Sequence, residues 1–166
     1  MFLRKPAFVV LTALGVLLTG CPERSGDADQ YTRDGNLYLD NGNYSLAEAT
    51  FDKALRQNPG TAGLLMSRGT ARMLQEKYGE AMADYDAALE IDPGFASAYA
   101  NRGILRDRRG DTEGAIADYR RALDLDPELG KGPSIWKRII SNPSTDTIGG
   151  RMRYLLSLQE GAPASP

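Results

Sequence analysis

Ser134-Ile135-Trp136-Lys137 places a serine hydroxyl and a lysine amine one helical turn apart. In that Ser-x-x-Lys spacing the amine can take the hydroxyl proton and leave a serine nucleophile that a substrate carbonyl acylates. The motif stands alone here: the companion Ser-Asp-Asn and Lys-Thr-Gly elements are absent, and no large α/β domain remains to hold them. A serine-hydrolase reading resting on Ser134 and Lys137 is therefore the remotest alternative. The chain has no histidine and one cysteine, Cys21. Those counts exclude a Ser-His-Asp triad, a Cys-His dyad and any zinc site built from histidines and cysteines. The carboxylate pairs Asp84/Asp86 and Asp124/Asp126 lack calcium-loop glycine spacing and read as solvated helix surface. No catalytic residue, metal site, cofactor or small-molecule substrate is expected.

Cys21 belongs to a different kind of chemistry. Residues 1–20 begin with the basic pair Arg4-Lys5, continue through an apolar run from Pro6 to Leu18, and end in Thr19-Gly20. A basic head, an apolar stretch and a small-residue boundary describe a secretory signal peptide. The run falls short of the about 20 apolar residues that a spanning helix needs. Leu18-Thr19-Gly20-Cys21 resembles the lipobox of bacterial lipoproteins. That resemblance implies a diacylglycerol thioether on Cys21 and an acylated new N-terminus, bound to the bilayer for good because several acyl chains hold where one does not. Residue 22 is Pro, not the Asp that resembles an inner-membrane retention signal. In a Gram-negative host the expected place is therefore the outer membrane, facing the periplasm. Without Arg4 and Lys5 the net charge moves from −2 to −4, which suits nucleic acid poorly. Residues 21–27 read as a linker.

The elements that position everything else emerge from length and self-comparison. With 166 residues, 42% hydrophobic and 25% charged, the chain is neither a disordered tail nor a polytopic membrane protein. One domain of about 100–150 residues can bury its core without disulfides. Shifting the sequence by 34 aligns Gly35/Gly69/Gly103, Ala47/Ala81/Ala115, Phe51/Tyr85/Tyr119, Ala54/Ala88/Ala122, Leu55/Leu89/Leu123 and Pro59/Pro93/Pro127. Such a period marks a repeat architecture. Each unit reads as two antiparallel helices: glycine and alanine let the backbones approach, the aromatic fills the space beside them, and proline stops the second helix. Asn41-Gly42-Asn43, Glu76-Lys77-Tyr78-Gly79 and Gly110-Asp111 read as the turns between helices.

These columns resemble tetratricopeptide repeats, in three units at 28–61, 62–95 and 96–129. The resemblance implies an all-α solenoid of three helix-turn-helix repeats. Two columns depart from the usual pattern: Asp34, Arg68 and Arg102 stand where Leu is common, and Tyr38, Arg72 and Arg106 where Tyr often recurs. Asp84 and Asp118 follow Arg68 and Arg102 by 16 residues, which predicts ion pairs Arg68–Asp84 and Arg102–Asp118 fastening the first helix of a unit to its second.

Residues 130–160 read as the cap that a repeat array requires. Pro133 to Ile140 is predicted as a short helix with Trp136, Ile139 and Ile140 on one side. Ser144-Thr145-Asp146 offers caps for a last helix carrying Ile148, Met152, Leu155 and Leu156, and Gly149-Gly150 is expected to fray its start. Lys131, Lys137, Arg138, Arg151 and Arg153 make this segment basic, against a net acidic repeat region. Residues 161–166 read as a disordered tail.

By the resemblance, the first helices of the units line a concave groove that takes segments of other proteins. The family's groove positions fall on Thr32, Asn36, Leu39, Met66, Thr70, Met73, Ala100, Asn101, Ile104 and Arg108. Members that clamp a C-terminal carboxylate use Lys, Asn and Arg at certain of these positions; here only Asn36 and Asn101 could be spared for hydrogen bonding and the clamp cations are missing, so recognition of a C-terminal carboxylate is not expected. Met66, Thr70, Met73 and Ile104 are expected to form an adaptable, partly apolar patch facing solvent, with Trp136 and Ile139 folding back on it as the competing occupant. A lipidated cysteine ahead of such repeats resembles bacterial envelope lipoproteins: adaptors of the NlpI type or pilotin-type assembly subunits. The expected function is thus a membrane-anchored adaptor for other envelope proteins, with a fixed subunit of a pilus or secretion complex as the alternative. The oligomeric state stays open.

Overall fold

The computed structural model describes residues 26–130 and 147–160. The leader, Cys21, the Pro133–Ile140 segment with Ser134 and Lys137, and the tail at 161–166 lie outside the described residues. Among the described residues seven α-helices and one short 3₁₀ turn follow in order: α1 (Gly26–Asp40), α2 (Tyr44–Gln57), α3 (Ala62–Leu74), α4 (Tyr78–Ile91), α5 (Ala96–Arg108), α6 (Thr112–Leu125), the turn Pro127–Gly130, and α7 (Ile148–Gln159). There is no strand among the described residues. The helices pair as α1 with α2, α3 with α4 and α5 with α6, and each pair stacks on the next. This is the solenoid of helix-turn-helix units that the 34-residue period implies.

Each pair closes around the same three residue types. Ala47, Ala81 and Ala115 are fully buried, as are Phe51, Tyr85 and Tyr119. The glycine opposite is required by distance: a Cβ on Gly69 would come within 2.8 Å of the Tyr85 ring, and one on Gly103 within 2.7 Å of Tyr119. Proline sets the end of α2, α4 and α6, which stop two residues before Pro59, Pro93 and Pro127.

The turns show one departure from expectation. Gly42 and Gly110 take positive φ (77° and 80°), the left-handed conformation glycine adopts freely, whereas the matching position in the second unit is Glu76 at φ 63°. Tyr78 and Gly79 already belong to α4 rather than to the turn.

α7 covers the end of the stack through Ile148 and Leu155, which join the core around Tyr119 and Ile104. Its N-cap is Thr147, whose hydroxyl accepts from the Gly150 amide at 3.0 Å; the expected caps at 144–146 are one residue too early. Gly149 and Gly150 are buried in the first turn of α7. An added Cβ on Gly149 would lie 3.7 Å from the Gly130 carbonyl oxygen, in ordinary contact with that backbone.

Candidate functional site

The inner row of the solenoid is made by α1, α3 and α5, and the positions assigned to it divide into two depths. Asn36 and Arg108 are exposed; Thr32, Leu39, Met66 and Asn101 are half-buried. Thr70, Met73, Ala100 and Ile104 are not on the surface: Thr70 and Ala100 are 4% exposed, Ile104 1% and Met73 0%. The expected solvent-facing patch is corrected accordingly. The reason is that α3 and α5 touch directly, so side chains aimed between them join the core. Tyr85 donates its hydroxyl hydrogen to Thr70 Oγ1 at 3.3 Å, Thr70 donates to the Met66 carbonyl at 2.9 Å, and Asn101 Nδ2 donates to Thr70 Oγ1 at 3.2 Å. Asn101 Nδ2 also lies 3.1 Å from Met66 Sδ. This buried string uses up the donors of Asn101 that the sequence offered to a partner. Thr32 likewise spends its hydroxyl on the Ala28 carbonyl at 2.8 Å.

Behind the row lies a ladder of charge. Arg68 donates to both oxygens of Asp84, at 3.0 and 2.6 Å, and reaches back to Asp52 on α2 at 2.7 Å. Arg102 repeats the geometry, with Asp118 at 2.9 and 2.7 Å and Asp86 on α4 at 2.7 Å. Each arginine thus bridges a carboxylate 16 residues behind and another 16 residues ahead. Asp84 and Asp118 are buried, so Asp84 is not the solvated surface residue expected from its pairing with Asp86. Arg72 adds a second cation to Asp84 at 2.9 Å and joins Glu48 at 2.9 Å; Arg106 adds one to Asp118 at 2.9 Å. Two-oxygen contacts from a planar guanidinium satisfy a buried carboxylate in a way a lysine cannot. The hydrogen bonds that Arg68 and Arg102 donate to Asp84 and Asp118 hold these arginines above the ordinary arginine range.

Glu48 and Asp107 are structural ties that the repeat columns do not single out. Burial pushes the Glu48 carboxyl up, but hydrogen bonds from Lys77, Arg72 and Gln75 outweigh it and bring the pKa to about 2. Asp107 takes two hydrogen bonds from Arg151 of α7, at 2.6 and 2.9 Å, tying the cap to the stack. Burial raises the Tyr119 hydroxyl, and the neighbouring Asp107 charge raises it further. The extra rungs were available in the sequence as the backward spacing of Asp52 and Asp86; Asp107–Arg151 carried no comparable signal. Among the described residues no cluster of histidine, cysteine and carboxylate side chains could hold a metal, and no helix is long and apolar enough to cross a membrane.

Two tetratricopeptide repeat models match the chain, at residues 32–95 and 96–129, together more than half of its length. The chain belongs to the tetratricopeptide repeat family. Solved structures of this fold resemble it over most of their length. The first repeat domain of Spaghetti (RPAP3) bound to an HSP90 peptide is 23% identical with a TM-score of 0.67, covering 82% of this chain and 96% of that one. The Sgt2 repeat domain from Aspergillus fumigatus is 21% identical with a TM-score of 0.63, covering 84% and 87%. The second repeat domain of human RPAP3 in complex with an HSP70 peptide is 27% identical with a TM-score of 0.57, covering 61% and 85%. No curated protein matches the chain. Both RPAP3 repeat domains are solved with a bound peptide, of HSP90 in the first and of HSP70 in the second.

Proposed function

We propose that this tetratricopeptide protein is a lipid-anchored adaptor of a bacterial cell envelope, holding a segment of another envelope protein along its inner row. The observation that carries the reading is the mixed character of that row. Exposed Asn36 and Arg108 offer hydrogen bonds, and half-buried Leu39 and Met66 offer apolar contact, from α1, α3 and α5. Extended or helical segments are held by such a mixture. The leader at 1–20 and the lipobox-like Leu18-Thr19-Gly20-Cys21 support the anchor, and Pro22 supports the outer-membrane, periplasm-facing placement.

RPAP3 relatives are seen with HSP90 and HSP70 peptides. Of the ten positions assigned to the inner row here, Arg108 alone is a cation. Two cations on one terminal carboxylate are thus unavailable from those positions, and the partner is bound through an internal segment. Two experiments test the reading. Asn36→Ala combined with Arg108→Glu removes a co-purifying envelope protein while the thermal midpoint stays put; retention of the partner sinks the groove assignment. Cys21→Ser abolishes incorporation of labelled fatty acid and releases the chain from membranes; a serine variant still at the membrane in its mature mass sinks the anchor.

A further inference from the structure

α7 continues the inner row as the first helix of a partial fourth unit. Ile148 and Leu155 are buried against α6 as Ala98 and Leu105 are against α4, with the same spacing in each pair. That register brings Leu158 to the place that Arg108 holds in α5 and Leu74 in α3. All three lie in the last turn of their helices. α3 and α5 touch directly, and the Asp107–Arg151 pair joins α5 to α7.

Each of the three side chains is open to a partner. Leu74 is half-buried and Arg108 exposed, while Leu158 keeps 49% of its surface in solvent. Arg108 has no carboxylate partner among the described residues, since its neighbours are taken: Asp107 by Arg151 and Asp111 by Arg106. Its charge favours ionisation of the Tyr85 hydroxyl, which lies beside Thr70 and Met73, so the guanidinium sits on the α3 side of α5. Beneath them Met73 and Ile104 seal the floor. A partner is therefore held at three separate points and not in a continuous apolar trench.

Packed helices stand about 8–10 Å apart, and an extended chain advances about 3.3 Å per residue. An extended segment crossing the row thus meets a new helix at about every third residue. We infer that the row binds an extended segment of another protein in which an acidic residue has a large apolar residue about three positions away on each side. The acid pairs with Arg108, and the apolar residues rest on Leu74 and Leu158. A helical partner fits less well, because it offers one continuous apolar stripe and Arg108 interrupts the apolar line. The inference rests on the adaptor reading and adds the sequence pattern of the partner.

Fluorescence polarisation of the detergent-solubilised full chain tests it, with a labelled synthetic peptide of Ser and Gly carrying Leu, Glu and Leu about three residues apart. The expected result is saturable binding, weakened at least about tenfold by Arg108→Glu and at least about threefold by Leu158→Ser. Unchanged circular-dichroism melts show that both variants fold. With Lys in place of Glu in the peptide the order reverses, and the Arg108→Glu protein binds better than the parent. A peptide with its leucines about seven residues from Glu, the spacing of one helical face, binds at least about tenfold more weakly. No binding of the first peptide, equal binding of the respaced one, or Arg108→Glu without effect would each overturn the inference. Any of these failures together with cross-linking of an envelope protein from Asn36 removes the pattern and leaves the adaptor reading; failure of both removes the adaptor reading as well.

Discussion

Arg102 and Asp118 meet through two parallel hydrogen bonds, 2.9 and 2.7 Å long, across the gap between α5 and α6. The same guanidinium crosses to Asp86 on the preceding unit. One side chain thus does what two apolar contacts do in an ordinary repeat: it joins the helices of its own unit and fixes that unit on the last. Asp118 is 3% exposed, so the contact depends on charge being matched inside the stack.

Removing the cation leaves that carboxylate dependent on Arg106 alone. Arg102→Ala is expected to cost about 2–4 kcal/mol, well above an exposed pair, because it strands charge rather than merely deleting a bond. Urea unfolding measures it. Replacing Asp118 as well, in Arg102→Leu/Asp118→Leu, is expected to recover part of the loss, since the buried charge goes with its partner.

The helix–helix contact gives a second expectation. Gly103→Ala drives a methyl group toward the Tyr119 ring, which is fully buried and has nowhere to move. Ala115→Leu overfills the same seam. Each is expected to cost about 1–3 kcal/mol, read from urea midpoints with the slope unchanged. Gly79→Ala, exposed in α4 where an added Cβ meets nothing within 4 Å, serves as the control and is expected to gain up to about 1 kcal/mol in helix propensity rather than lose stability.

Acid stability follows from Glu48, whose pKa falls from 4.5 unfolded to about 2 in the fold. A lowered folded value means that its stabilisation is complete above the unfolded value and disappears as pH drops through the folded one. The window is therefore pH 4.5 down to 2, and the loss there is about 3 kcal/mol by the size of that shift. Glu48→Gln flattens the stability profile across this window and leaves the remaining carboxylates to set it.

Met73→Glu and Ile104→Glu probe the depth of the row. Both residues are core, so each is expected to lower stability by several kcal/mol through buried charge. A double variant that melts like the parent would return these side chains to the surface.

Much of the fold was legible because six columns recur every 34 residues, and each column has a steric meaning that survives without coordinates. Gly69 under Tyr85 is the clearest case. Depth was less legible. The period places Met66, Thr70 and Met73 on one side of α3, but it does not say how closely α5 follows, and that distance decides that Met73 is sealed while Met66 is half open. The ladder was half legible for a related reason: the spacing inside one unit points Arg68 to Asp84, whereas Asp52 lies equally far in the other direction, across the junction between units. The Asp107–Arg151 tie spans 44 residues outside the period, so no repeat arithmetic reaches it.

The adaptor account stands most directly on where a partner touches. A photo-crosslinking amino acid placed in turn at Asn36, Arg108 and Glu90, all exposed, reports contact in intact cells without disturbing the stack. The account predicts that Asn36 and Arg108, on the inner-row helices α1 and α5, capture the same envelope protein while Glu90 on α4 does not. Capture from Glu90 with none from Asn36 and Arg108 would contradict it.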